Sequence, residues 1–279
     1  MPGVAFPAAP GKIGGMDFSA MIRANEANWD ARVPIHVASR FYAEEPSAWF
    51  APHEWDDLGD LAGRDVVHLQ CHIGSETRAL AERGARVTGL DLSAASLEAA
   101  RAVPGITYVH GDVLAAVDAL GPERFDVVYT GKGSLVFVPD LPLWAEQVAG
   151  LLRPGGFLYL VEFHPVLYTL GLIPTEDESL TLRDDYLGDR GPIRVDGTYT
   201  YTDGPPLSEA TEYYEWRHGL GEVITALLGA GLRLDLLRET PEIPWKRWDG
   251  MVNTVGPWHR LPDDAPRIPL MYALRAVKP

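Results

Sequence analysis

Cysteine is almost absent from this chain. Cys71 is its only one, so no intrachain disulfide forms and no Cys-x-x-Cys metal or redox pair exists. Positive charge is scarce as well: 24 Lys and Arg face 39 Asp and Glu, a net charge of −15. Such a field repels phosphate-rich partners and argues against DNA, RNA and anionic membranes. No Lys/Arg-rich run and no RNA-binding signature offsets it. Long apolar runs are missing too, and none approaches the roughly 20 residues that cross a bilayer. The opening Met1-Pro2-Gly3-Val4-Ala5-Phe6 lacks the basic start and apolar core of a secretory signal, so a cytoplasmic protein is expected. Neither an Asp/Asn cluster of the kind that holds Mg²⁺ nor a His/Cys set at zinc spacing is present, and metal-independent chemistry is expected. These absences leave a neutral or cationic small-molecule substrate as the expected partner, with no nucleic acid and no membrane, and a homodimer is compatible with them.

What the chain does have is apolar and aromatic mass. Hydrophobic residues make up 46% of 279, which suits one large α/β domain or one such domain with an elaborated insert. Eight Trp and eleven Tyr are a high aromatic load; core packing alone could use most of them, and some of those rings are expected to line a pocket.

Residues 1–60 read as a tail and a helical lid. The first sixteen residues are rich in Gly, Pro and Ala. A helix follows over 17–30 with Asp17 as its N-cap, and Pro34 is expected to break it and begin a second helix over 34–42. From residue 61 strands and helices alternate: strands at 66–70, 86–90, 106–110, 125–130 and 157–163, helices at 76–83, 94–102 and 141–152. Short loops between them imply right-handed crossovers and a parallel sheet. The alternation stops at His164-Pro165. Residues 165–215 read as an inserted hairpin or lid, with Thr198-Tyr199-Thr200-Tyr201 as its alternating stretch. A helix over 216–228, a strand over 232–238 and a last strand over 270–277 complete the domain. The long loop before that last strand carries Trp245, Trp248 and Trp258, and loops of such length in compact domains are usually functional or disordered.

The chemistry concentrates where strands end. Val66 to Thr77 is a strand, a tight turn (Gln70, Cys71, His72, Ile73, Gly74) and a helix start. A helix N-terminus presents free N–H groups and partial positive charge to a carboxylate or phosphate. Gly74 suits a point where backbone approaches a ligand closely. Asp91 ends the second strand, placed to accept hydrogen bonds from two ribose hydroxyls. Asp112, after His110-Gly111, can accept from an adenine amine while the Val113 N–H donates to the ring. Any ribose-containing cofactor would be served, NAD included, but the G-x-G-x-x-G of NAD enzymes is absent.

These elements, with Phe125-Asp126-Val127-Val128-Tyr129-Thr130-Gly131 and Leu151-Leu152-Arg153-Pro154-Gly155-Gly156, resemble the core of class I S-adenosylmethionine-dependent methyltransferases over Val66–Glu162. The Leu69-Gln70-Cys71-His72-Ile73-Gly74 turn is similar to that of a bacterial small-molecule subgroup. The resemblance implies an α/β fold, a Rossmann-like seven-stranded mostly parallel sheet with an antiparallel last strand, an N-terminal helical lid and an insert after strand five. It implies S-adenosylmethionine as cofactor, with Gly74 at the methionine moiety, Asp91 at the ribose, Leu92 on the adenine, and Asp112 with Val113 at its edge. Gln70, Cys71, His72 and Thr77 belong to the same turn and helix start, Thr130 and Gly131 close the pocket, and Trp29 covers the cofactor from the lid. The family turn D-x-G-x-G-x-G reads here His68-x-Gln70-x-His72-x-Gly74. The acid that helps to hold the methionine ammonium is thus replaced by His68, and a carbonyl near Gln70 or a residue of the N-terminal helices is expected in its stead.

Methyl transfer is an in-line displacement that needs a positioned, desolvated nucleophile and, for a hydroxyl, a base. Lys132, Glu162 and His164 fall beyond strands four and five, where this fold places its substrates. His164 is the candidate base, with a capping role before Pro165 as the alternative. Glu162 either bonds the substrate or is satisfied within the fold. His36 is a candidate contact to substrate or to the methionine carboxylate. Tyr213-Tyr214-Glu215-Trp216 reads as pocket wall or as packing. The competing functions are an NAD-type oxidoreductase and a cofactor-binding protein without catalysis.

Overall fold

The computed structural model describes residues 18–171 and 174–279. The sixteen-residue tail and the Asp17 cap lie outside them. Helix α1 (Ser19–Ala38) is followed by two short 3-10 turns, and α2 (Pro52–Leu58) leads into the sheet domain. There β1 (Asp65–Leu69), α3 (Ser75–Glu82), β2 (Arg86–Asp91), α4 (Ala94–Ala100), β3 (Thr107–His110), α5 (Ala116–Leu120), β4 (Phe125–Thr130), α6 (Leu141–Leu151) and β5 (Leu152–Phe163) succeed one another. The insert holds α7 (Pro165–Thr169) and a hairpin of β6 (Ile193–Asp196) with β7 (Glu212–Glu215). Then come α8 (Leu220–Gly229) and β8 (Arg233–Thr240), three two-residue strands β9 (Glu242–Ile243), β10 (Val252–Asn253) and β11 (His259–Arg260), and finally β12 (Met271–Val277).

Seven strands form one sheet in the order β3-β2-β1-β4-β5-β12-β8. The first five are parallel, and β12 runs antiparallel to both of its neighbours. The fold is the expected α/β, Rossmann-like architecture with a reversed last strand. Consecutive valines explain why the strands look uniformly apolar in sequence. Val67 and Val128 face a core shared with Trp144 and Val148 of α6, whereas Val66 and Val127 face a second core shared with Leu80 of α3 and Leu58 of α2. A strand covered on both faces has no polar side to alternate with.

The N-terminal region departs from expectation. One helix spans Ser19–Ala38 with Pro34 inside it. Pro34 lacks the N–H for its helical bond, a cost of roughly 3 kcal/mol. Tertiary bonds hold the helix regardless, and they come from a stripe of buried polar residues: Asn25, Asn28, Arg32 and His36. Asn25 Nδ2 donates to Tyr214 O (2.9 Å) and its Oδ1 accepts from Tyr214 N (2.7 Å). Asn28 donates to Ala210 O at 2.7 Å, and Arg32 Nε donates to Asn28 Oδ1 at 2.8 Å. The helix is therefore sided, but with polar groups inward, the reverse of the pattern that hydrophobic periodicity detects.

Other elements differ as well: β5 starts at Leu152 rather than 157, and α5 occupies Ala116–Leu120, where no helix is expected. The Thr198–Tyr201 stretch is the connection of the hairpin, not one of its strands, because β6 and β7 pair before and after it. Helix α8 starts at Leu220, since Trp216 N instead donates to Val136 O at 2.7 Å. The long Trp-bearing loop is organised by a small sheet of order β10-β11-β9, with Trp248 and Trp258 buried in the second core.

Pro34 is exposed, so its ring contributes little to the core. Pro34→Ala should therefore raise unfolding free energy by about 1–2 kcal/mol, the recovered helical bond outweighing the greater freedom of the unfolded chain. Urea unfolding monitored by circular dichroism measures it.

Candidate active site

The carboxyl ends of β1 to β4 meet at a cavity of about 150 Å³, roofed by α1 and the insert. Its floor is the turn from β1 into α3, which takes three left-handed residues in alternation: Gln70 (φ 55°), His72 (φ 48°) and Gly74 (φ 77°). For a residue with a Cβ this conformation costs roughly 1–2 kcal/mol. Side-chain tethers offset the cost at the two non-glycine positions. Gln70 Nε2 donates to Ser134 O at 3.0 Å, linking the turn to the segment after β4. His72 Nδ1 lies 2.9 Å from Ser96 Oγ, and its Nε2 lies 2.9 Å from His36 Nδ1, linking the turn to α4 and to α1. Burial, reinforced by neighbouring His36 and Arg32, holds the His72 ring neutral. At Gly74 no tether would help: a Cβ there would stand 2.5 Å from Tyr108 Oη.

Asp91 at the end of β2 accepts from His72 N (2.7 Å) and Ser93 N (2.8 Å), one per oxygen. Each oxygen keeps a lone pair for the cavity, and burial pushes the carboxyl up to about 6. Asp112 uses Oδ1 on Leu114 N at 2.9 Å, which leaves Oδ2 open. Leu92 and Val113 lie beside these two carboxylates on the cavity wall. Trp29 closes the cavity from α1, with its ring 5.1 Å from that of His72 and 5.3 Å from that of Phe137.

Of the residues picked from sequence, Trp29, Gln70, Cys71, His72, Asp91, Leu92, Asp112, Val113 and Gly131 line this cavity together. Gly74, Thr77 and Thr130 stand behind it. Thr77 Oγ1 sits 2.9 Å from His68 Nδ1, and Thr130 is buried at the end of β4. His36 is fully buried behind His72, and burial together with Arg32 lowers its ring to about 3.

Glu162 and His164 lie outside the cavity. Glu162 is consumed by the backbone: Oε1 accepts from Gly133 N and Phe163 N (both 2.6 Å), Oε2 from Ser134 N (2.9 Å) and Leu135 N (3.0 Å). It fixes the segment after β4. Burial raises its carboxyl to about 7 against the pull of those four donors. His164 caps α7, its Nδ1 accepting from Val166 N at 3.1 Å, so the proton on Nε2 faces Glu239 Oε1 at 3.0 Å.

Other residues complete the wall. Tyr42, from a 3-10 turn after α1, and Tyr201, from the insert, join their hydroxyls over the cavity. They are 159 positions apart, and nothing in the sequence beyond its aromatic load marks them as neighbours. His68 and Glu76 also face inward. Glu76 is an acid in the first turn of the helix that follows Gly74, a legible signal that pattern matching to the turn alone passes over. Lys132 reaches the cavity from beside Gly131, and its ammonium is held 3.4 Å from the fully buried Glu54.

The chain is similar to known proteins in sequence and in fold. A family profile described as a methyltransferase domain matches residues 66–156. The ubiquinone biosynthesis O-methyltransferase of Stutzerimonas stutzeri is 35% identical over 127 residues, 43% of this chain and 54% of that protein. The protein of the same name from Aeromonas salmonicida is 32% identical over 170 residues, covering 53% of this chain and 71% of its own length. The chain thus spans little more than half the length of the first of these relatives. A crystal structure of a putative S-adenosylmethionine-dependent methyltransferase from Listeria monocytogenes shares the fold, with a TM-score of 0.57 at 20% identity over 81% of this chain and 98% of that one.

The role of Glu162 is open to a direct test. In Glu162→Gln an amide NH2 must face backbone donors, so stability should fall by about 1–3 kcal/mol. A residue that served only as a base would lose turnover with its unfolding curve unchanged, and that result would return Glu162 to the chemistry.

Proposed function

Because the chain belongs to the class I S-adenosylmethionine-dependent methyltransferase family, we propose that it moves the methyl group of S-adenosylmethionine to an oxygen, nitrogen or carbon of a small aromatic metabolite, in line and without a metal. One observation carries the reading. Asp91 and Asp112 stand on adjacent strand ends with acceptor capacity unspent, and Leu92 and Val113 between them offer an apolar face. An adenosine needs that set: two ribose hydroxyls to donate, an exocyclic amine to donate, a flat ring to cover. The cofactor fits the residues present, and when bound it supplies a methyl on a sulfonium, with a neutral thioether as leaving group.

The chain's own part is to bind, orient and exclude water. Trp29, Tyr42 and Tyr201 close the cavity against solvent. Their rings, with Phe137, favour a flat acceptor, and the names of the relatives favour oxygen as the receiving atom. His68 and His72 are neutral imidazoles on the cavity wall, His68 lowered to about 3 by burial and by Lys132. His164 and Glu162, already engaged elsewhere, do not serve as the base in this reading. The excess of negative charge supports a small molecule over nucleic acid or an anionic membrane, and no described helix is long and apolar enough to cross a bilayer. The proposed setting is the cytoplasm, with a homodimer as the form to test by light scattering.

Asp91→Ala should weaken S-adenosylhomocysteine binding by about 10–100-fold, the worth of charge-assisted hydrogen bonds. The unaltered chain should also bind less tightly as pH falls through about 6. Ribose donors favour the Asp91 carboxylate, whose acid form has already taken up a proton below that point. Isothermal titration reads both effects, and binding of NADH in place of S-adenosylhomocysteine would sink the proposal. A panel of phenolic, amine and carbon acceptors, with and without EDTA and with the methylated product located by mass spectrometry and NMR, identifies the acceptor.

A further inference from the structure

Glu76, Gln70 and His68 line the cavity, and each has an acceptor that meets no donor among the described residues. Glu76, in the first turn of α3, makes no hydrogen bond or ion pair with any described residue, although it lines the cavity. Gln70 has committed its Nε2 to Ser134 O, which fixes the amide and leaves a buried Oε1 without a donor among the described residues. His68 turns Nδ1 to Thr77 Oγ1. With that nitrogen donating, Nε2 is left as a bare lone pair. His68 Nε2 and Glu76 Oε1 lie 3.5 and 3.6 Å from the point where a Cβ on Gly131 would stand, so both border the space that this glycine leaves open.

A buried acceptor without a donor costs about 1–3 kcal/mol, and Gln70 Oε1 is one; Glu76 beside it is half-buried and carries a charge that no described residue pairs. A carboxylate, an amide oxygen and a neutral imidazole together match a group with positive charge and several N–H donors. The nearby cation does not answer the need, because Lys132 is paired with Glu54.

We propose that Glu76, with His68 Nε2 and Gln70 Oε1, holds the ammonium of the cofactor's amino-acid tail. The assignment rests on reading the cavity as the S-adenosylmethionine site. It moves the acid of the family turn from the end of β1, where this chain has His68, eight positions on to the helix. The histidine left behind keeps a supporting role as an acceptor. It also explains the glycine at 131, since a methyl group there would enter the ammonium's space while making only ordinary contacts with its neighbours.

The test is calorimetric. Three probes are titrated into the unaltered chain and into Glu76→Gln: S-adenosylhomocysteine, its analogue lacking the α-amine, and 5′-methylthioadenosine, which lacks the amino-acid tail. Removal of the amine should cost the unaltered chain about 10–100-fold in affinity. Glu76→Gln should lose a similar factor for S-adenosylhomocysteine, bind the deaminated analogue and 5′-methylthioadenosine as before, and melt at an unchanged or higher temperature. Full affinity of Glu76→Gln for S-adenosylhomocysteine overturns the assignment, and so does an equal loss for all three probes. If the unaltered chain binds 5′-methylthioadenosine but ignores the amine, Glu76 is not its partner although the cofactor reading stands. If it binds none of the three, that reading falls and takes the assignment with it.

Discussion

The passage from β1 into α3 has to reverse direction within a few residues while bringing backbone close to a ligand. Its left-handed steps at Gln70, His72 and Gly74 are the usual solution, but two of them carry side chains. Much of the remaining architecture follows from that constraint. A left-handed His72 stays in place because its ring is gripped by Ser96 and His36 and its N–H by Asp91, so the strained residue joins β1, β2, α4 and α1 at one point. Gln70 does the same toward the segment after β4. Where glycines would make the turn free, this chain makes it fixed, and the conformational cost is met by groups in and behind the cavity wall.

The roof is assembled by a second set of polar bonds. Asn25 and Asn28 satisfy backbone groups at Tyr214 and Ala210, and Asp30 accepts from Ser93 Oγ at the start of α4. Helix α1 thus touches both the insert and the β2–α4 side of the sheet. Tyr42 and Tyr201 close the same roof at its tip. Several groups that line the cavity are thereby braced by the insert.

The sequence made the sheet readable and the roof obscure, for a physical reason. Strands β1 to β5 and their helices are specified by local signals: valine-rich runs, Gly and Pro-Gly stops, and acids at strand ends such as Asp91 and Asp112. Helix α1 hides its polar face and shows Pro34 and Val37 to solvent, so periodicity points the wrong way there. Glu162 and His164 sit where the fold commonly places chemistry, yet both are taken up by capping. Position alone cannot reveal that, because three of the four donors that claim Glu162 come from residues 27 to 29 positions earlier.

Order of synthesis adds one more consequence of the Asn25–Tyr214 pairing. Helix α1 is synthesised before the insert, and the backbone groups that satisfy its inward face are made 182 and 189 residues later. At ordinary elongation rates of about 5–20 residues per second, that is a delay on the order of 10–40 seconds. Throughout it the helix must stay solvated or loosely held, with its buried stripe still wet. A chain that hides asparagines instead of leucines can wait in water without becoming sticky.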